Sequence, residues 1–119
     1  MYDLIRDEAH DLIMLKTEHL IIKQAIVKYM KTRSTTDLSL LLNLLERHLE
    51  KEAGVEFLSL SKEMIDMLGK VKESFVKGTI SDECITALFR AFVDHDNELN
   101  KLIWELDAKI NEEIRRIIQ

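Results

Sequence analysis

The chain has no proline, three glycines and one cysteine among its 119 residues. Hydrophobic residues make up 46% of it and charged residues 33%, which is typical of a helical soluble protein rather than a sheet or a disordered chain. The lone Cys84 excludes an intramolecular disulfide and a zinc site built on cysteine pairs. The length predicts one domain, residues 1–119.

The sequence also lacks a long apolar run and a cluster of positive charge. A membrane span needs about 20 apolar residues, and no segment approaches that length. The start, MYDLIRDEAHDL, has no signal-peptide pattern, so a cytoplasmic location is expected. The formal net charge is -5, and the basic residues are interleaved with acidic ones. We therefore expect neither a nucleic acid nor a membrane as a partner.

Apolar residues recur every three or four positions in four segments, which is the period of amphipathic helices. The first predicted helix begins near Tyr2 and ends before the polar stretch RSTTD. The second follows that stretch and weakens at Gly54. The third starts at Ser59 or Ser61 and stops at Gly78, which is a common helix terminator.

The fourth predicted helix follows Ser81, a candidate N-cap, and is more than 30 residues long. Short connections place sequential helices side by side in opposite directions. The sequence therefore predicts an all-α fold, an up-down-up-down antiparallel four-helix bundle.

The apolar stripe of the fourth helix continues from Leu106 to Ile117 or Ile118, beyond the reach of the shorter second and third helices. Either the N-terminal turns of the first helix cover this overhang, or a second copy of the chain does. A second apolar line on the first helix favours a homodimer. It consists of Ile13, Leu20 and Val27.

Four ionisable residues interrupt the apolar stripes. His48 and Glu52 stand four apart on the leucine side of the second helix, and His19 and His95 lie on the stripes of the first and fourth helices. Burying an unpaired carboxylate costs several kcal/mol, and no Lys or Arg occupies these stripes. Either the imidazoles hydrogen-bond Glu52, or the four side chains share a cation such as iron, manganese or zinc.

The spacing of these residues resembles the ligand pattern of the hemerythrin-like (HHE) four-helix bundles, H-x28-H-x3-E-x14-H-x3-H-x23-H-x4-D. His19, His48 and Glu52 match its first three positions, and His95 matches the histidine of the fourth helix. The segments MLKTEHLIIKQAI and HLEKEAGVEFLSL are similar too, so the resemblance covers about residues 12–106. It implies a bundle whose histidines and carboxylates hold two irons.

The chain departs from that pattern on two helices. Met67 and Val71 stand where the family has two histidines, and Asn100 stands where it has the second bridging carboxylate. One iron would lose most of its ligands, so a di-iron oxygen carrier is not expected. The remaining residues predict a mononuclear site with an open position, for iron first and manganese or zinc as alternatives. Its predicted ligands are His19, His48, Glu52, His95 and Asn100.

Three functions fit this pattern. The favoured one is a non-enzymatic metal-binding module that binds or senses iron, oxygen or redox state. The alternative is a metal-free bundle that acts as an interaction or oligomerisation module, with the four residues as a polar core network. A small oxidase ranks last, because the sequence offers no separate acid-base group. Met14, Met64 and Met67 are predicted to pack in the core rather than to bind metal.

Overall fold

The protein folds into helices, and the part of the chain that the structure describes contains no strand. A computed structural model describes residues 2–52 and 62–119, with side chains at 9–52 and 64–119. The helices are α1 (Tyr2–Thr32), α2 (Thr35–Glu52), α3 (Lys62–Lys77) and α4 (Asp82–Ile118), which confirms the all-α prediction. None of these described helices is long and apolar enough to cross a membrane. The predicted boundaries at Gly54, Ser59 and Ser61 lie outside the described residues.

Local residues explain several helix ends. The Ser81 hydroxyl accepts a hydrogen bond from the Cys84 backbone N–H at 3.2 Å, so Ser81 is the predicted N-cap of α4. Gly78 follows α3 with a φ of 70°, a left-handed conformation that glycine adopts without steric cost. Arg33 follows α1 with a φ of 54°, and its N–H donates to the Tyr29 carbonyl at 2.7 Å.

Gly69, inside α3, and Gly78, just after its end, are expected to respond oppositely to substitution by alanine. Gly78→Ala should lower the free energy of unfolding by about 1 kcal/mol, because alanine resists a positive φ. Gly69→Ala should raise it by up to about 1 kcal/mol, because alanine is the better helix former. Gly69 is an exposed residue of α3 where an added methyl meets no atom within 4 Å. Urea unfolding measures both, and a loss of stability at Gly69 would contradict this account.

Each helix packs against two others, in the cyclic order α1, α2, α3, α4 and back to α1. The Arg33 guanidinium, at the end of α1, donates to Asp82 at the start of α4 at 3.1 Å. Lys16, which precedes Arg33 on α1, contacts Asp96, which follows Asp82 on α4. Helices α1 and α4 are therefore antiparallel, and α2 returns along α1 in the same way. The direction of α3, and with it the full up-down-up-down order, stays a prediction.

The core consists of two apolar clusters with a polar layer between them. The larger cluster draws on all four helices and includes Leu41, Leu45, Leu88 and Phe92. Among the described side chains, the smaller one joins α1 and α4 through Leu12, Leu15, Leu99 and Leu106. Helices α1 and α4 have 31 and 37 residues, against 18 and 16 in the described α2 and α3, and they pack against each other in the smaller cluster. The end of α4 remains exposed at Ile117 and Ile118.

The methionines divide between the core and the surface. Met64 is fully buried, and Met67 packs against the larger cluster from a partly buried position. The prediction that Met14 is a core residue is wrong, since it is 47% exposed. It directly precedes the buried Leu15, and adjacent helical residues point about 100° apart, which turns Met14 to the outside of α1.

Candidate metal centre

Four ionisable side chains meet in the polar layer between the two apolar clusters. They are His19 from α1, His48 and Glu52 from α2, and His95 from α4, and none is more than 5% exposed. Each offers one nitrogen or oxygen atom, and these atoms lie within 4.8 Å of one another. The structure thus brings together four of the five residues that the sequence pattern selects.

The Glu52 carboxylate is the centre of this group. Its two oxygens lie 2.8 and 2.6 Å from His95 Nε2. Its Oε1 also lies 2.5 Å from His48 Nε2 and 3.3 Å from His19 Nε2. The Nε2 atoms of His19 and His48 are 2.7 Å apart. His48 and Glu52 meet because they occupy adjacent turns of one face of α2, and the packing of α1 and α4 on α2 brings His19 and His95 to the same carboxylate.

Two further carboxylates hold the opposite side of two of the imidazoles. His19 Nδ1 lies 2.8 Å from Asp96 Oδ1, and His48 Nδ1 lies 2.9 Å from Glu18 Oε2. Carboxylates in this position commonly orient metal-binding histidines, because they fix the ring and its tautomer. Asp96 is buried, and Glu18 is half-buried.

Lysines keep both of these carboxylates ionised. Lys16 Nζ donates to Asp96 Oδ1 at 2.9 Å, and Lys23 contacts the other oxygen. Burial by itself would raise the pKa of Asp96, but the lysine hydrogen bonds outweigh burial and hold this pKa well below its ordinary value. The pKa of Glu18 is lowered in the same way, against burial, by the adjacent Lys51.

The outer carboxylates determine where the imidazole hydrogens lie. An ionised carboxylate only accepts hydrogen bonds, so the Nδ1 atoms of His19 and His48 carry the hydrogens. In a neutral imidazole the other nitrogen is then a lone-pair acceptor. Two Nε2 lone pairs therefore face each other, and both face the Glu52 carboxylate. Such a buried group of acceptors is stable only with a positive charge between them, either a proton or a metal cation.

A proton can supply part of that charge. Burial lowers the pKa of His48, but its contacts with Glu52 and Glu18 outweigh burial and raise the pKa above its ordinary value. Burial raises the pKa of Glu52, but its contacts with the three imidazoles, which favour the ionised carboxylate, hold this pKa far below its ordinary value. The layer is therefore built around an ionised carboxylate that requires a positive partner.

A divalent cation fits the same four atoms. Metal–nitrogen and metal–oxygen bonds of about 2.0–2.2 Å place the ligand atoms of a four-coordinate ion about 3.4 Å apart. Since no two of the four atoms are more than 4.8 Å apart, shifts of about 1 Å bring them to this geometry. Three imidazole nitrogens and one carboxylate oxygen suit iron, manganese or zinc.

His95 differs from the other two histidines. Its Nδ1 is buried and, among the described side chains, is the buried nitrogen or oxygen without a hydrogen-bond partner. It is also the most exposed of the four residues, at 5%, and it lines a groove of about 390 Å³ beside α4 together with Met67 and Glu98. A cation bound to Nε2 of His95 would require the hydrogen of the neutral ring to lie on Nδ1.

The remaining positions of the hemerythrin-like pattern, Met67, Val71 and Asn100, are not part of this group of four side chains. The Asn100 side-chain nitrogen donates to Asp96 Oδ2 at 3.5 Å, and its role as a metal ligand stays a prediction. Val71 is fully buried in the larger apolar cluster, where Met67 packs against it. Among the described residues, one group of histidines and carboxylates has the closeness that an ion requires.

Sequence reasoning misses both outer carboxylates, although each stands beside a histidine in the chain, as Glu18–His19 and His95–Asp96. Neighbours along a helix do not face one another. Glu18 therefore reaches His48 on α2 instead, and Asp96 reaches His19 on α1. The signal in the sequence is a carboxylate next to a histidine of the apolar stripe. Such a carboxylate contacts the histidine of a neighbouring helix rather than its own neighbour.

A scan of protein-family models, a search of curated proteins and a search of solved structures each found no match to this chain. The resemblance to hemerythrin-like bundles accordingly rests on residue spacing and local sequence.

Proposed function

We propose that this protein binds one divalent metal ion through His19, His48, Glu52 and His95. It acts as a non-enzymatic module that binds or senses iron, oxygen or redox state. One observation carries the proposal: the Nε2 atoms of His19 and His48 converge on a buried carboxylate while their Nδ1 atoms are held by two outer carboxylates. One proton engages only one or two of the facing atoms, whereas a cation bound to all four would engage each of their lone pairs.

Iron is the proposed ion, with manganese or zinc as alternatives. The three nitrogens and one oxygen suit all three metals, and the spacing shared with hemerythrin-like bundles favours iron. The four-helix architecture and the apolar Met67 and Val71 support a reduced, one-ion version of that site. A di-iron centre for reversible oxygen binding is not part of this proposal.

A metal-free interaction module is the second candidate, and the contact lengths in the layer favour it. The separations of 2.6 to 2.8 Å between Glu52 and His95, and of 2.7 Å between His19 and His48, are hydrogen-bond lengths. A protonated His48 completes such a network. In that case the four residues stabilise the bundle, and the function lies on its surface.

Metal analysis of protein prepared without a histidine tag separates the two candidates. We expect close to one equivalent of metal per chain after anaerobic incubation with Fe(II). A hundredfold excess of free metal over Kd stabilises the fold by about 2.7 kcal/mol, which raises Tm by roughly 10 °C for a domain of this size. The same measurements with manganese and zinc show which of the three metals binds with the highest stoichiometry and the largest rise in Tm.

The control for adventitious binding is His10→Gln, which removes an exposed histidine of α1 outside the site. This variant should keep both the stoichiometry and the rise in Tm. Metal well below one equivalent, with melting unchanged by all three ions, would reject the metal-binding proposal and leave the metal-free module.

A further inference from the structure

The outer face of α1 is uncharged over four helical turns. All seven exposed residues from 13 to 27 lack charge, although a third of the whole chain is charged. Two of them are polar, Thr17 and Gln24. The exposed faces of the other helices carry charges, for example Arg47, Lys70 and Glu98. The other five of the seven are apolar: Ile13, Met14, Leu20, Ile21 and Val27. These seven residues are called the α1 stripe.

The α1 stripe is large enough for a specific contact. Its five apolar residues are each 47–64% exposed and together expose on the order of 500 Å². That is near the upper end of the apolar patches found on monomeric proteins. Two such patches facing each other bury about 1,000 Å², which is the lower bound for a specific interface.

The charges beside the stripe have partners within the chain. Lys16 and Lys23, on one side, both turn to Asp96. Lys28, on the other side, lies 3.6 Å from Asp37. A second copy that approaches this face therefore meets few unpaired charges of its own sign, and an oppositely charged partner finds little to recognise.

The spacing of the stripe is self-complementary. Ile13, Leu20 and Val27 are seven residues apart, and Thr17 and Gln24 fall between them in the 4-3 alternation of a coiled-coil seam. Across a twofold axis parallel to α1, each apolar layer meets its own equivalent. The Gln24 amide meets a second Gln24 amide, and each can both donate and accept a hydrogen bond.

From these observations we propose that the α1 stripe is the docking surface for a second copy of this chain. The homodimer is isologous and is centred on Leu20 and Gln24. It is independent of the metal centre, because none of the four ligating residues lies on the stripe.

Sedimentation velocity over a range of protein concentrations tests the dimer, with and without a chelator. We expect a species of about 28 kDa, twice the 13.9 kDa of one chain. Leu20→Glu should weaken dimerisation at least about 100-fold, because the two introduced carboxylates face each other across the axis. Gln24→Lys should also weaken dimerisation, because two lysines would face each other across the axis. Gln24 is already exposed, so this change should not disturb the fold.

Leu40→Glu is the matched control, since Leu40 is 56% exposed on α2 and Leu20 is 52% exposed on α1. It should leave the dimer intact, as should Glu52→Gln, which alters the metal centre alone. A monomer at all concentrations, or a dimer that survives both stripe variants, would overturn the proposal. So would a monomer that instead co-sediments with phosphatidylcholine–phosphatidylglycerol vesicles, because the stripe would then be a lipid-binding surface.

Discussion

Glu52→Gln is expected to abolish stoichiometric metal binding and to leave the bundle folded. Glutamine has nearly the same volume as glutamate, and its amide oxygen can accept from His95 Nε2. Its amide nitrogen has two hydrogens and can donate to the Nε2 lone pairs of both His48 and His19, so the metal-free layer keeps its hydrogen bonds. The proposed ion, however, would lose the single anionic ligand among its four. We therefore expect metal affinity to fall by at least about 100-fold and the metal-induced rise in Tm to disappear.

The matched control for this variant is Glu50→Gln, which removes the same charge from an exposed position of α2 two residues away. Unfolding with and without Fe(II), together with metal titration, compares the three proteins. Wild type and Glu50→Gln should bind one equivalent with the same affinity. One equivalent retained by Glu52→Gln, with an unchanged shift in Tm, would show that the carboxylate is not a ligand.

Much of the fold follows from short-range sequence patterns. The 3-4 spacing of apolar residues predicts the helices, and Ser81 and Gly78 predict two of their ends from single residues with defined backbone roles. The same spacing predicts that His19, His48 and His95 point inward, because each takes the place of an apolar residue on a stripe.

The contacts between helices are harder to predict. Asp96 and His19 are 77 residues apart, and their meeting depends on how far α4 is displaced along α1, a quantity that no local pattern encodes. Met14 shows a related difficulty. Helix α1 is apolar on both sides over this region, so periodicity alone does not determine which side faces the core.

Asp96→Asn tests the outer part of the site. Asp96 accepts hydrogen bonds from His19 Nδ1 and from Lys16, and it also contacts Lys23. An amide keeps the size but loses the charge, so it holds the imidazole less firmly and makes its Nε2 less basic. We expect metal affinity to fall about 10- to 100-fold, with the stoichiometry still at one ion per chain. The free energy of unfolding of the metal-free protein should fall by about 1–3 kcal/mol.

The two effects distinguish an orienting role from a purely structural one. Asp107→Asn, an exposed position on the same helix, is the control and should change stability by less than about 0.5 kcal/mol. If Asp96 only stabilises the bundle, Asp96→Asn lowers the unfolding free energy but leaves the Kd of the folded protein for metal unchanged. If Asp96 orients His19, the Kd rises even under conditions where the variant is fully folded. Because His19 would then bind in more than one ring orientation, the absorption bands of a bound Co(II) probe should also shift or broaden, and the bands of the Asp107→Asn protein should match wild type.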